Sequence, residues 1–366
     1  MANSRSSTLQ LLGICVFLSI FTMMIIGITR YSPSRSNSPQ YNVRKQPTEL
    51  LSEVKHRVPP FVVNRSTVLQ LGLDTTTSQQ NARIPHRIHQ TWDSLQIQEE
   101  FVPNIKSWLE THPDWEYWFW TDADIEFLIR KCYPQTYLDM YLKYAEKINR
   151  VDSMRYFVLY LFGGLYADLD MVALKGHDEL VDNNPCIVTQ ETFEHSVLLY
   201  GNAEFPNLLN AYLACRPLHP FMRSMISSLP ASAHSMGFLL VAGPLYETKV
   251  LKNYIHRGNN SKARLDEVRV LHPKFVVPTY DKEQIHNFIK ACNRSSGGHP
   301  LRQEVCQNLK WRLKHNVAGD EAFANHLWTH VYMVRQKWNA MPRVNLDSFV
   351  SQRVNVTDRI LKLCPA

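Results

Sequence analysis

The stretch Gly163-Gly164-Leu165-Tyr166-Ala167-Asp168-Leu169-Asp170-Met171 decides how this chain is read. Two carboxylates one residue apart follow an apolar run and a Gly-Gly break. A strand over Leu165 to Val172 would turn Asp168 and Asp170 to the same face, because side chains alternate along a strand. Two hard oxygen ligands at that spacing, at the open end of a strand, suit a divalent cation such as Mn²⁺ or Mg²⁺ that also holds phosphate oxygens. An Asp-x-Asp on its own is common, and it equally describes a solvated strand end.

The residues before it add to the pattern. Apolar residues at Val151, Met154, Val158, Leu161 and Phe162 recur with a helical period and predict a helix over Asn149 to Phe162. Asp152 and Arg155 are three apart and share a face of it. Gly163 supplies a left-handed stop, and Gly164 lets the chain turn into the strand. Helix, turn and strand together bring Asp152 and Arg155 to the same end as the two aspartates. The alternative for that pair is a surface ion pair of negligible weight.

The run from Arg150 to Met171 resembles the sugar-binding Asp-x-Asp region of glycosyltransferase family 32. Four more stretches resemble that family in the expected order: Ile84 to Trp92, Trp115 to Asp124, Gly243-Pro244, and Asn325-His-Leu-Trp328. The resemblance covers roughly residues 83 to 335. It implies a glycosyltransferase A-type α/β fold, a nucleotide-sugar donor, and transfer with retention to give an α-linkage. Under it, Asp170 is a direct ligand of Mn²⁺ or Mg²⁺, and Asp168 shares the cation or holds the donor's ribose. His326 joins the metal ligands only through the resemblance. Asp152 and Arg155 grip donor-sugar hydroxyls or a phosphate, a task for which the guanidinium fork is suited. Thr91, Trp92, Asp122, Tyr166 and Trp328 are further donor-binding expectations. Trp92 and Tyr166 are equally plain core residues, and Glu191 is a nucleophile expectation by position alone. The motifs divide between a branch using GDP-mannose and one using UDP-sugars, so a hexose or N-acetylhexosamine donor is all they imply. A glycolipid or a glycan is the implied acceptor.

The remaining chain fits such an enzyme. Leu9 to Ile28 is an uncharged, mostly apolar run of twenty residues, long enough to cross a bilayer core of about 30 Å. A cleaved signal peptide usually has a shorter apolar core and a small-residue cleavage site. The organisation expected is a cytosolic tail at 1–8, an anchor at 9–28, a polar stem at 29–82 and a catalytic domain at 83–366. The resemblance implies a type II Golgi membrane protein with a luminal body. Sequons at Asn64, Asn259, Asn293 and Asn355 all lie beyond the anchor, as glycosylation in the lumen requires.

The formal charge is +7, but residues 1–82 hold eight Lys/Arg and three Asp/Glu, leaving 32 and 30 in the rest. That balanced body lacks the clustered basic face of a nucleic-acid binder. Ile84 to Thr91 and Tyr117 to Thr121 read as strands. Phe101 to His112 reads as a helix, as does Asp122 to Cys132, the latter with an acidic cap. The alternation predicts a mainly parallel sheet with ligands at the strand C-terminal ends. Six cysteines follow the anchor; Cys292 and Cys306 bracket a Ser/Gly/Pro-rich loop and are the expected bridge, and no Cys-x-x-Cys spacing points to zinc. Two other functions share these residues. Asp168-Leu-Asp170-Met-Val172 also matches the haloacid-dehalogenase phosphatase pattern, and an inert luminal sugar-binding protein would retain the same groups.

Overall fold

The computed structural model describes residues 83–205, 207–257, 267–294, 299–331 and 338–365. The expected anchor and stem, together with Asn64 and Asn259, lie outside them. Among the described residues no helix is long and apolar enough to cross a membrane.

Ten strands are described: β1 (Arg87–Thr91), β2 (Gln96–Gln98), β3 (Glu116–Trp120), β4 (Gly164–Ala167), β5 (Met171–Ala173), β6 (Cys186–Gln190), β7 (Leu208–Cys215), β8 (Arg269–Leu271), β9 (Ala324–His326) and β10 (Arg343–Asn345). Six of them form the central sheet, in the order β3–β1–β4–β7–β6–β8. β1 pairs in parallel with β3 and β4, and β6 in parallel with β8. Only β7 runs against its two neighbours. This is a mixed α/β fold with a mainly parallel sheet.

Side-chain alternation splits the core into two layers. Trp118, Trp120, Tyr166, Val188 and Leu213 pack on one face of the sheet. Tyr117, Phe119, Leu165, Ile187 and Tyr212 pack on the other. The helix begins at Lys147 and ends at Phe162, and every residue from Asp152 to Phe162 is buried. It is therefore an interior helix enclosed on all sides, which is why its apolar residues exceed a single stripe. The helix Asp122–Cys132 is capped by Thr121, not by Asp122: the Thr121 hydroxyl accepts from the Asp124 N–H, and the Asp124 carboxylate accepts in return from the Thr121 N–H.

One expectation is overturned at the decisive stretch. No strand runs from Leu165 to Val172. β4 stops at Ala167, and the Met171 N–H closes a turn onto the Asp168 carbonyl at 3.0 Å. Asn104 and Trp108, on the helix Val102–Thr111, then donate to the Leu169 and Met171 carbonyls. They draw the chain off the central sheet, and β5 pairs instead with β9, setting Met171 opposite His326. The two aspartates share a site because of a turn, not because of strand periodicity.

Three disulfides close the body: Cys132–Cys364, Cys186–Cys215 and Cys292–Cys306. Cys186 and Cys215 face each other directly across β6 and β7. Asn293 ends the helix Ile285–Asn293 on an exposed position, and Asn355, also exposed, caps the helix Val356–Leu363.

The Gly-Gly break is sterically obligatory. Gly163 has φ 61°, and Gly164 has φ 106°. A Cβ on Gly164 would stand 2.8 Å from the Arg87 carbonyl oxygen and 2.8 Å from His89 Nε2. Gly164→Ala is expected to lower stability by about 3 kcal/mol or more, read by thermal unfolding; a loss below 1 kcal/mol would contradict the packing described.

His89 itself is fully buried and neutral. Its Nε2–H donates to the Gly163 carbonyl at 2.7 Å, and its Nδ1 accepts from the Trp120 indole at 3.1 Å. Burial holds its pKa down at about 3, below the ordinary 6.5, with Arg87 adding to the depression against the Gly163 hydrogen bond. The unfolded chain therefore binds a proton at pH values where the folded chain does not. The resulting stability is complete above pH 6.5 and is lost as pH falls from there towards 3. Unfolding free energies of wild type and His89→Gln should converge by about 1.4 kcal/mol per pH unit below pH 6. A constant difference between the two would exclude the assigned protonation.

Candidate active site

Three ligating side chains meet where β4 gives way to β5. One oxygen each from Asp168 and Asp170 and one nitrogen of His326 all lie within 4.8 Å of one another. Asp168 and Asp170 come from the turn; His326 arrives on β9, across from Met171. The Leu327 N–H donates to the Asp170 carbonyl at 2.9 Å and fixes the strand's far end.

Each carboxylate has its own environment. Asp170 Oδ1 faces His326 Nε2 at 3.2 Å, and its Oδ2 accepts from the Thr329 N–H at 3.0 Å and hydroxyl at 2.9 Å. Burial opposes ionisation of Asp170, yet His326 and the two Thr329 hydrogen bonds outweigh it and hold the carboxyl well below the usual range. The His326 imidazole is pushed down by burial and more than recovered by Asp170, so its net direction is upward. Asp168 Oδ1 accepts from the Tyr166 hydroxyl and lies 3.3 Å from Arg155 Nη1. Burial raises its carboxyl, Arg155 opposes this, and the charge of Asp170 adds to the rise.

The expected Asp152–Arg155 pair is no surface contact. Arg155 is 1% exposed and Asp152 6% exposed. Arg155 Nη2 donates to Asp152 Oδ1 at 3.0 Å, Nη1 donates to the Asn210 carbonyl, and the guanidinium lies over the Tyr166 ring at 4.4 Å. Asn210 returns its amide to Asp152 Oδ1 at 2.9 Å. It reaches there because β7 bulges: Val188 pairs with Leu213 but Thr189 with Leu209, leaving residues 210–212 unmatched against β6. Burial raises the Asp152 pKa to about 6, Arg155 pulling the other way. Beside them Glu247 is fully buried, with neither carboxylate oxygen hydrogen-bonded. Burial lifts it to about 8, against the pull of Arg155; at neutral pH it is mostly the uncharged acid.

The other expected donor contacts are dispersed. Thr91 donates its hydroxyl to the Trp120 carbonyl at 2.8 Å. Trp92 packs edge-on against Phe101 at 5.2 Å, with its buried indole N–H unpartnered. Asp122 is ion-paired with Lys147 at 2.6 Å and takes no part in the Asp168–Asp170–His326 group. Trp328 lies against both His326 and His195, at 4.3 and 4.4 Å, and donates to the Thr279 carbonyl. Its φ of 57° and the 51° of His330 put two bulky residues in left-handed backbone, a strain that hydrogen bonds at Thr279, Asp170 and Asp281 hold in place.

Residues 98–187 match the family described as the glycosyltransferase sugar-binding region containing a DXD motif. This stretch is thus similar to the sugar-binding region of DXD-containing glycosyltransferases. An inositol phosphoceramide mannosyltransferase of Schizosaccharomyces pombe is 33% identical over 46% of this chain and 45% of its own length. A mannosyl phosphorylinositol ceramide synthase of Saccharomyces cerevisiae is 31% identical over 52% of this chain and 48% of its own. The match thus spans about half the length of these curated relatives. Among solved structures, the PaToxG glycosyltransferase aligns over 71% of this chain and 96% of its own at 15% identity, with a TM-score of 0.38.

Asn210, Thr329 and Glu247 belong to the site without standing in any motif. Asn210 is delivered by an unpredicted bulge and Thr329 by a segment remote in sequence, so neither leaves a local signal. Replacing Arg155 with Met strands a buried carboxylate at Asp152, a half-buried one at Asp168 and a buried carbonyl. A stability loss of about 3–5 kcal/mol is expected in urea unfolding; a loss under 1 kcal/mol would show that Arg155 does not balance the cluster.

Proposed function

We propose that this chain is a metal-dependent, retaining glycosyltransferase of the A type. It moves a hexose or N-acetylhexosamine from a nucleotide sugar to a glycolipid or glycan acceptor and forms an α-linkage. The observation that carries the reading is the convergence of Asp168, Asp170 and His326 on one point. Two hard carboxylate oxygens and one imidazole form a donor set for Mn²⁺ or Mg²⁺. Two carboxylates set this close repel each other, which favours a cation between them. A bound cation would act as a Lewis acid and offset charge on the departing nucleoside diphosphate.

The protein's own groups do the positioning. Thr329 immobilises Asp170 Oδ2, leaving Oδ1 turned to His326. Tyr166 and Arg155 fix Asp168 through Oδ1. Arg155 keeps Asp152 beside them, at the sheet edge where parallel α/β proteins bind ligands. The mannosyltransferase names of these relatives favour a mannosyl donor, hence GDP-mannose ahead of UDP-sugars. The ceramide lipids in their names favour a membrane lipid acceptor, which an anchor at residues 9–28 in the Golgi membrane would keep within reach.

Purified luminal protein with Mn²⁺ should hydrolyse or transfer sugar from one member of a nucleotide-sugar panel. EDTA should abolish that turnover and added Mn²⁺ restore it. Asp170→Asn should reduce turnover by at least about 10³-fold while leaving the unfolding midpoint within a few degrees. Undiminished turnover by this variant, or indifference to EDTA, would refute the metal-dependent reading.

A further inference from the structure

A second group of polar atoms, outside the proposed metal ligands, is buried without hydrogen-bond partners. At the C-terminal end of β6 the side-chain oxygens of Thr189 and Thr192 and Oε2 of Glu191 are buried without a hydrogen bond. So is the amide nitrogen of Asn207, whose carbonyl accepts the Glu191 N–H at 2.8 Å. Buried polar atoms are nearly always paired, so orphans on neighbouring residues of one strand end point to a missing ligand.

Glu191 is prepared for one. The Asp281 N–H donates to His195 Nε2 at 3.1 Å, so that nitrogen carries no proton. The imidazole proton therefore resides on Nδ1, which donates to Glu191 Oε1 at 3.0 Å. Asp281 is held in turn by His330 Nε2 at 2.8 Å. One carboxylate oxygen is thus anchored through a neutral histidine of fixed tautomer, and the other is left as a bare acceptor. A carboxylate repels phosphate, so its missing partner is a donor.

Glu191 also stands in the right place. β4 and β6 both run antiparallel to β7, so their C-terminal ends lie at one edge of the sheet. Asp168 follows β4, and Glu191 follows β6. His195 touches the Trp328 ring, which touches His326. The orphaned hydroxyls can donate and accept and the Asn207 amide nitrogen can donate, a mixture that suits sugar hydroxyls.

We infer that the end of β6 is the subsite for the hydroxyls of the transferred sugar, with Glu191 Oε2 as their charged acceptor and His195 as its positioning residue. The inference rests on the glycosyltransferase reading and extends it to the residue that distinguishes a nucleotide sugar from a bare nucleotide.

Titration calorimetry with Mn²⁺ on the luminal protein tests it, using GDP against GDP-mannose and UDP against UDP-galactose. In Glu191→Gln the affinity for the preferred nucleotide sugar should fall about 10- to 100-fold, the weight of a charge-assisted hydrogen bond. The matching nucleoside diphosphate should bind within about twofold of wild type. Glu191→Asp, which keeps the charge but shortens the reach, should show the same split and serves where Glu191→Gln does not fold. His195→Gln should shift the same ratio less. Equal binding of the nucleotide sugar by wild type and both Glu191 variants would overturn the inference alone. So would parallel losses for sugar and bare diphosphate, which would make Glu191 a structural or metal-linked group. Failure of the wild type to bind any of the four nucleotides would overturn the glycosyltransferase reading itself.

Discussion

A single guanidinium buried midway along the interior helix holds the site's charges together. Arg155 is in contact with Asp152, Asp168, the Asn210 carbonyl and the face of Tyr166, with almost no access to water. In such surroundings an unbalanced carboxylate costs several kcal/mol, and here two of them lean on one cation. The planar fork matters because its two terminal nitrogens address different partners, which a lysine ammonium cannot do from one point. The neutral Glu247 beside it shows the limit of that balance. With Asp152 and Asp168 already drawing on Arg155, burial keeps this third carboxyl protonated.

The general architecture was legible because its causes are local. The aromatic run of Tyr117–Trp120, the helical period before Phe162 and the two glycines each act within one or two turns of chain. The reading erred where long-range contacts took over. Period-two logic put Asp168 and Asp170 on one strand, whereas Asn104 and Trp108 pull the chain into a turn and hand it to β9. The Asp152–Arg155 spacing was visible, but its complete burial was not, since that depends on β7 and its bulge. Asp122 looked like a site residue because it follows a strand end, yet its partner is Lys147. His326 carried no signal of its own; only the neighbouring motif resemblance marked it.

Strain and connectivity in the closing segment complement each other. Between His326 and Val331 two bulky residues hold left-handed backbone, and each turn of the segment is tied to a different part of the body: Asp170, Thr279 and Asp281. Rigid anchoring at three points lets a short irregular stretch present Thr329 and Trp328 in fixed directions without help from regular structure.

Translation delivers the parts of this site far apart in time. Both aspartates leave the ribosome well before His326, and Thr329, which immobilises Asp170, is separated from it by 159 residues. A growing chain therefore carries an acidic turn but no complete donor set until β9 docks on β5. The Asp168–Asp170–His326 group is therefore assembled late in synthesis, once most of the body has already emerged.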